Sequence, residues 1–435
     1  MRLPLSVPPS LSLPLRRHFS LAKYASKLTS AAARRLLLQL VCLAGGLACA
    51  QAGLAQRFTP PDLPEGPGKL LVQNLCSTCH STATITRAAG YSSATEWRRV
   101  FSTMIELPDA QADTIATYLA EHFPEDISRR PRLVAGDVDI EIIEWTVPTL
   151  GQRSRDPAEA PDGSIWWTGM WASLAGRLDP DTGVMDEYRL PPTARPHTIV
   201  PDAEGNIWYT GNSNATLGKL DPSTGLITEY KTEAADPHSA TFHPNGNLYF
   251  TAQRAGMLGR LNPNTGELVE INTEPRPYGI QVAADGTVWV AFNGTNKLGA
   301  MDPDSMEVRY YEVPDPQSRI RRLSLDSQGR VWFVNSTMGR IGRLNPQTGE
   351  IRQWDSPSGP DSHPYAIAVI DDVVWYNESG MRPDALVRFN PRTETFQSWA
   401  IPSGVGIVRN VWVTEEGNLL IHQSSSNQIG LVKVN

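Results

Sequence analysis

The stretch Glu204-Gly205-Asn206-Ile207-Trp208, a tight turn running into an apolar residue and a tryptophan, decides the fold because it recurs. Its counterparts are Asp162-Gly163-Ser164-Ile165-Trp166, Asn245-Gly246-Asn247-Leu248-Tyr249, Asp285-Gly286-Thr287-Val288-Trp289, Gln328-Gly329-Arg330-Val331-Trp332, Asp371-Asp372-Val373-Val374-Trp375 and Glu416-Gly417-Asn418-Leu419-Leu420. Successive copies lie 42, 41, 40, 43, 43 and 45 residues apart. A period of that length with four short strands per unit implies a β-propeller, and seven copies imply seven blades. Each unit adds a turn such as Asp179-Pro180-Asp181-Thr182-Gly183 or Asn262-Pro263-Asn264-Thr265-Gly266. Proline presets φ there and glycine takes the left-handed position, so the acids of these turns read as turn formers before calcium ligands.

The ends of the repeat imply how the ring closes. The seventh unit stops at Gly430-Leu431-Val432-Lys433-Val434-Asn435, one strand short of the others. An equivalent of the missing strand stands upstream, Ile140-Glu141-Ile142-Ile143-Glu144-Trp145-Thr146-Val147-Pro148, and resembles Val184 to Pro191. The expected propeller therefore spans 138–435, with strand 138–148 completing the last blade and removing an open edge. Counting eleven residues back from each anchor, ten in the sixth unit, selects Arg155, His197, His238, Tyr278, Arg321, Tyr365 and Arg409. One repeat position maps to one level of the ring, so these side chains are expected to line one mouth of the channel as a pocket for an oxygen-rich or anionic ligand.

The repeat resembles the streptogramin B lyase family of seven-bladed propellers, most of all at Arg195-Pro196-His197 and Asp236-Pro237-His238. The resemblance implies a site in which two such histidines, an acid and a glutamate hold Mg²⁺ and catalyse an elimination that opens a lactone ester. Carried over, the set is His197, Asp236, His238 and Gln253. Gln253 departs from it, because glutamine supplies neither a charged ligand for magnesium nor a base. The acid that often follows the tryptophan strand in that family is replaced by Gly169, Gly211 and Ala252, and survives only as Glu378.

Residues 1–50 carry seven basic residues and no acid, then an uncharged run from Leu36 to Leu47 and the small-x-small triplet Ala48-Cys49-Ala50. That pattern reads as a signal peptide directing export to the periplasm, and the apolar run is too short to span a bilayer. The whole chain has 39 basic and 46 acidic residues, a formal −7. Without the leader the balance is 32 against 46, a formal −14, which argues against nucleic acid as partner.

Two cysteines remain after the leader, in Cys76-Ser77-Thr78-Cys79-His80. C-x-x-C-H is the attachment pattern of one covalent haem c, with Cys76 and Cys79 as thioether anchors and His80 as an axial ligand of the iron. A zinc site would need further ligands, and no other cysteine is left. Helices are expected at Gly68 to Leu75, Thr95 to Ile105 and Asp109 to Phe123, the last capped by Asp109. Met104, in register with Trp97 and Phe101, is the best candidate for the sixth ligand, and His122 competes with it. The segment resembles a short class I c-type cytochrome domain over about 63–125.

The expected order is a signal peptide at 1–50, an all-α cytochrome c domain at 51–126, a linker at 127–137 and a mainly-β seven-bladed propeller at 138–435. The expected function is a monohaem cytochrome that couples electron transfer to binding or oxidation of a ligand at the propeller mouth. Its partner is a redox protein or a small molecule, with no membrane span after leader removal. The alternatives are an Mg²⁺-dependent carbon–oxygen lyase, or a propeller that only docks a redox partner.

Overall fold

Within each repeat the turn and tryptophan become the second strand of a four-stranded antiparallel sheet. In the computed structural model, which describes residues 62–78, 80–88, 91–404 and 406–435, seven such sheets follow one another. The leader at 1–50 and Cys79 lie outside the described residues. Blades 1 to 6 occupy 154–189, 196–231, 237–272, 277–312, 320–355 and 364–400. Blade 7 is built from 412–434 and the upstream strand Ile140–Thr146, which pairs antiparallel with Gln428–Val434 from Ile140↔Val434 to Thr146↔Gln428. The two ends of the propeller chain thus share one sheet, and Gln428–Val434 is paired on both sides.

Inside the blades the repeat is held by aromatic packing. Trp208 stacks on Tyr230 with centroids 5.6 Å apart, Trp332 on Trp354 at 5.3 Å and Trp375 on Trp399 at 5.7 Å, each pair joining the second strand to the fourth. The third strand makes room with glycine: Gly218 is the register partner of Tyr209 and Gly342 of Phe333. A Cβ at either would overlap the ring. The turn acids act on their own backbone, Asp179 accepting from the amides of Asp181 and Thr182, and Asp221 from that of Ser223.

Among the described residues four α-helices precede the propeller: α1 (Lys69–Cys76), α2 (Ala83–Ala88), α3 (Ala94–Ser102) and α4 (Asp109–His122). They share a core that includes Val72, Trp97, Phe101, Ile115 and Leu119. Three details differ from the sequence reading. Helix α2 was not foreseen. Helix α3 stops at Ser102, so Met104 lies past the cap, its amide bonded to Phe101 O at 2.9 Å, rather than on the helical face of Trp97 and Phe101. Asp109 does not cap α4: Pro108 holds the N-cap position, and the carboxylates of Asp109 and Asp113 pair with Arg98 of α3. Arginine offers a two-pronged donor, which competes successfully with the orphan amides of the helix end.

The helices and the propeller belong to one compact unit, Leu63–Asn435. Gly151 N donates to Thr103 O at 3.0 Å, and the His80 ring lies 6.5 Å from that of Trp171, in the loop between the second and third strands of blade 1. The connecting segment is tied to blade 6 through Arg129 to Gly380 O and Val134 N to Ser398 Oγ. No described helix is long and apolar enough to cross a membrane.

Candidate functional site

Each ring residue stands second in the innermost strand of its blade, or just before it in blade 7. In blades 1 to 6 the pairing register breaks at that point, between Arg155 and Ala158, Pro196 and Ile199, Pro237 and Ala240, Pro277 and Ile280, Ile320 and Leu323, and Pro364 and Ile367. A bulge re-aims side chains, and here it lets two consecutive residues serve the channel. All seven residues Arg155, His197, His238, Tyr278, Arg321, Tyr365 and Arg409 line one cavity of about 520 Å³. Arg153, Arg254, Arg276 and Arg319 join them, and Asp236 is the one acid in the lining.

Blades 1 to 3 present carboxylates that are already paired. Asp156, fully buried, accepts from Thr198 Oγ1 at 2.7 Å and faces His197 Nδ1 at 3.5 Å and Arg322 Nη2 at 3.4 Å. Burial raises its pKa, but the contacts with His197 and Arg322 outweigh that and hold it well below the usual carboxylate range. The His197 and His238 rings pack with centroids 3.5 Å apart. Burial, helped by Arg155, lowers His197 to about 3, and burial with His197 lowers His238 as well, so both rings are neutral at physiological pH.

The four residues carried over from the lyase pattern all reach this cavity, but Asp236 is already engaged. Its carboxylate accepts from Arg254 N at 2.6 Å, Arg254 Nε at 3.1 Å and Ala255 N at 3.0 Å. No group of three or more His, Cys, Asp or Glu side chains poised to hold a metal occurs among the described residues. Glu378 lies elsewhere, buried in blade 6 and bonded to Ser356 Oγ at 2.6 Å and Ser358 N at 2.9 Å.

Blades 4 to 7 present positive charge in excess. Tyr278 and Tyr365 share a short hydrogen bond between their hydroxyls, and Arg409 Nη1 donates to Tyr365 Oη at 3.1 Å. The guanidinium of Arg321 sits 4.5 Å over the Tyr365 ring and that of Arg322 5.1 Å over Tyr278. Arg409 Nε is buried without a hydrogen-bond partner among the described residues, and so, on the other side, are Arg155 Nε, Asp156 Oδ1 and His197 Nε2. Burial together with Arg155 and Arg409 lowers Arg153 to about 9. Arg322, one residue past the ring position, spans the channel from blade 5, bonding Ser239 Oγ at 2.9 Å in blade 3 and Arg409 O at 3.0 Å.

Sequence reasoning missed Asp156 and Arg322, because a single repeat position cannot show that a bulge turns its successor inward. It also missed Arg153, Arg276 and Arg319, although a signal existed. They stand two residues before the ring position, and strand periodicity keeps such residues on one face.

Of the proposed haem residues, Cys76 ends α1 and is partly buried, His80 Nδ1 lies 3.2 Å from Ser81 O, and Met104 packs against the helical core. Trp97 Nε1 is buried with no hydrogen-bond partner among the described residues. His122 packs its ring on Tyr118 at 4.6 Å.

The profile of the virginiamycin B lyase family matches residues 132–261 and 263–435. A streptogramin B lyase structure superposes with a TM-score of 0.62 at 24% identity, over 68% of this chain and 98% of that one. Virginiamycin B lyase from Staphylococcus aureus gives 0.61 at 22%, over 68% and 99%. Hydrazine synthase of Kuenenia stuttgartiensis gives 0.55 at 14%, over 65% and 95%. At such identities these likenesses concern the fold alone, and no curated protein matches in sequence. The profile covers well over half of the residues, and by it the chain belongs to the virginiamycin B lyase family.

Proposed function

We propose that this protein is an exported, periplasmic monohaem c-type cytochrome whose propeller binds a small, oxygen-rich anion at one mouth of its channel, where that ligand is held or oxidised. The observation that carries the ligand class is the arginine-lined cavity, with buried Nε donors left without acceptors. Unpaired buried donors are costly, and a carboxylate or phosphate would satisfy them with charge-assisted hydrogen bonds.

The helical residues fit haem c by donor type. Cys76 and Cys79 would anchor it, His80 and Met104 would ligate the iron, and the orphan Trp97 Nε1 is a donor suited to a haem carboxylate. Haem, when bound, supplies one-electron chemistry. The chain's own arginines orient the anion and exclude water from its charged groups. A redox protein or the bound anion itself is the partner this reading calls for.

The test has two arms on the exported full chain. Reduced-minus-oxidised spectra are expected to show a c-type α-band, and Met104→Ala a high-spin shift; a colourless protein overturns the haem. Calorimetry with citrate is expected to show saturable binding that Arg321→Ala weakens, and absence of binding to any di- or tricarboxylate overturns the pocket. Family membership favours a second reading, Mg²⁺-assisted lyase chemistry at His197, Asp236, His238 and Gln253. Ring opening of a streptogramin B, lost in His238→Ala, would establish it over the first.

A further inference from the structure

The cavity holds a group that neither the arginines nor the histidine pair require. Tyr365 is 6% exposed, lines the cavity, and directs its hydroxyl at Tyr278 on one side and Arg409 on the other. Arg321 covers its ring face at 4.5 Å, and Arg409 lies 5.4 Å from the ring centroid. No carboxylate among the described residues is bonded to it. A phenol meant only to fill space has no use for two guanidinium groups and a second phenol.

We infer that Tyr365 is the proton acceptor of this pocket, a phenolate base acting on an anionic carbon acid seated among the arginines. The inference rests on the anion-pocket reading above and names the class of substrate for it, a small carboxylate with an acidic C–H next to a carbonyl. A hydroxyl would exchange its proton with water unaided, whereas a C–H bond gains from a built base. In the step, the C–H bond of the ligand breaks, the Oη–H bond of Tyr365 forms, and the electron pair stays on the ligand as an enolate. Guanidinium groups stabilise that new charge where it forms. Tyr278 donates to the phenolate oxygen and keeps the pair at one negative charge.

The electrostatics agree. Burial raises the pKa of Tyr365, but Arg409, Arg321 and Arg155, with the hydrogen bond from Tyr278, outweigh it and bring it to about 7. Burial and the charge on Tyr365 push Tyr278 up to about 12. The buried Asp156 is already paired with Arg322.

Near-ultraviolet titration of the full chain is expected to show one phenolate forming around neutrality, absent in Tyr365→Phe. Exchange of the acetoacetate methylene protons in D₂O, followed by proton NMR, is expected to exceed buffer by roughly a hundredfold. Tyr365→Phe should abolish the excess while still binding acetoacetate, and Tyr278→Phe should reduce it. Binding without exchange above buffer, or exchange unaffected by Tyr365→Phe, overturns this inference and leaves the pocket reading intact. Failure to bind acetoacetate or citrate sinks the pocket reading itself.

Discussion

The two sides of the channel mouth are built from the same repeat position and yet differ in kind. Blades 1 to 3 place a neutral histidine pair beside a buried carboxylate, with Asp236 tied to backbone amides. Blades 4 to 7 place arginines and a tyrosine pair, with no acid in the described lining. The lyase resemblance points to the first side, which holds the carboxylates, whereas the second carries cations with no acid in its described lining. A side whose carboxylates are already paired, Asp156 with Arg322 and Asp236 with Arg254, is a structural wall, and one that gathers cations without acids awaits an anion.

The largest expected effect breaks the wall. Asp156→Asn leaves Arg322 buried without its counter-charge and should cost about 3–5 kcal/mol, read as a lower denaturant midpoint. The folded pKa of Asp156 is depressed, so its stabilisation is present above the unfolded carboxylate value of about 3.9 and is lost as pH falls through the folded value. A variant as stable as the parent would show that the wall is not held by charge.

Next in size is the contrast in ligand affinity. Arg409→Ala removes a charge-assisted donor of about 1.5–3 kcal/mol, so citrate binding should weaken by roughly ten- to a hundredfold. His238→Ala should change it far less. Equal losses would erase the distinction between the sides.

Gly218→Ala probes the blade rather than the mouth. A methyl group there overlaps Tyr209, and the strain should cost about 1–3 kcal/mol while citrate affinity stays unchanged.

The smallest effect sharpens the tyrosine side. A bound anion disfavours the phenolate, so affinity should be full below the Tyr365 pKa of about 7 and fall as pH rises through it. Calorimetry across that window should show the decline in the parent and a flat profile in Tyr365→Phe.

Much of this was legible in the repeat. The turn-and-tryptophan anchors locate the blades, and a count of eleven residues back, ten in the sixth unit, selects seven residues that do line one cavity. The helical segment was less legible at its ends. Asp109 has the residue type of a cap, but Arg98 claims its carboxylate from a neighbouring helix, a contact no local pattern records. The end of α3 before Met104 was likewise not visible in the spacing of apolar residues.

The sequence alone determined the seven-fold repeat, the level of the ring and the C-x-x-C-H motif, because each is a local pattern of turns, aromatics and spacing. Only the tertiary structure decided which charges meet. Bulges at the ring positions of blades 1 and 5 turn Asp156 and Arg322 into the channel, and closure of the ring brings blade 5 against blades 1, 3 and 7. Pairings across such a channel depend on distance in space, and residues 166 positions apart in the chain leave no trace of that distance in the order of their neighbours.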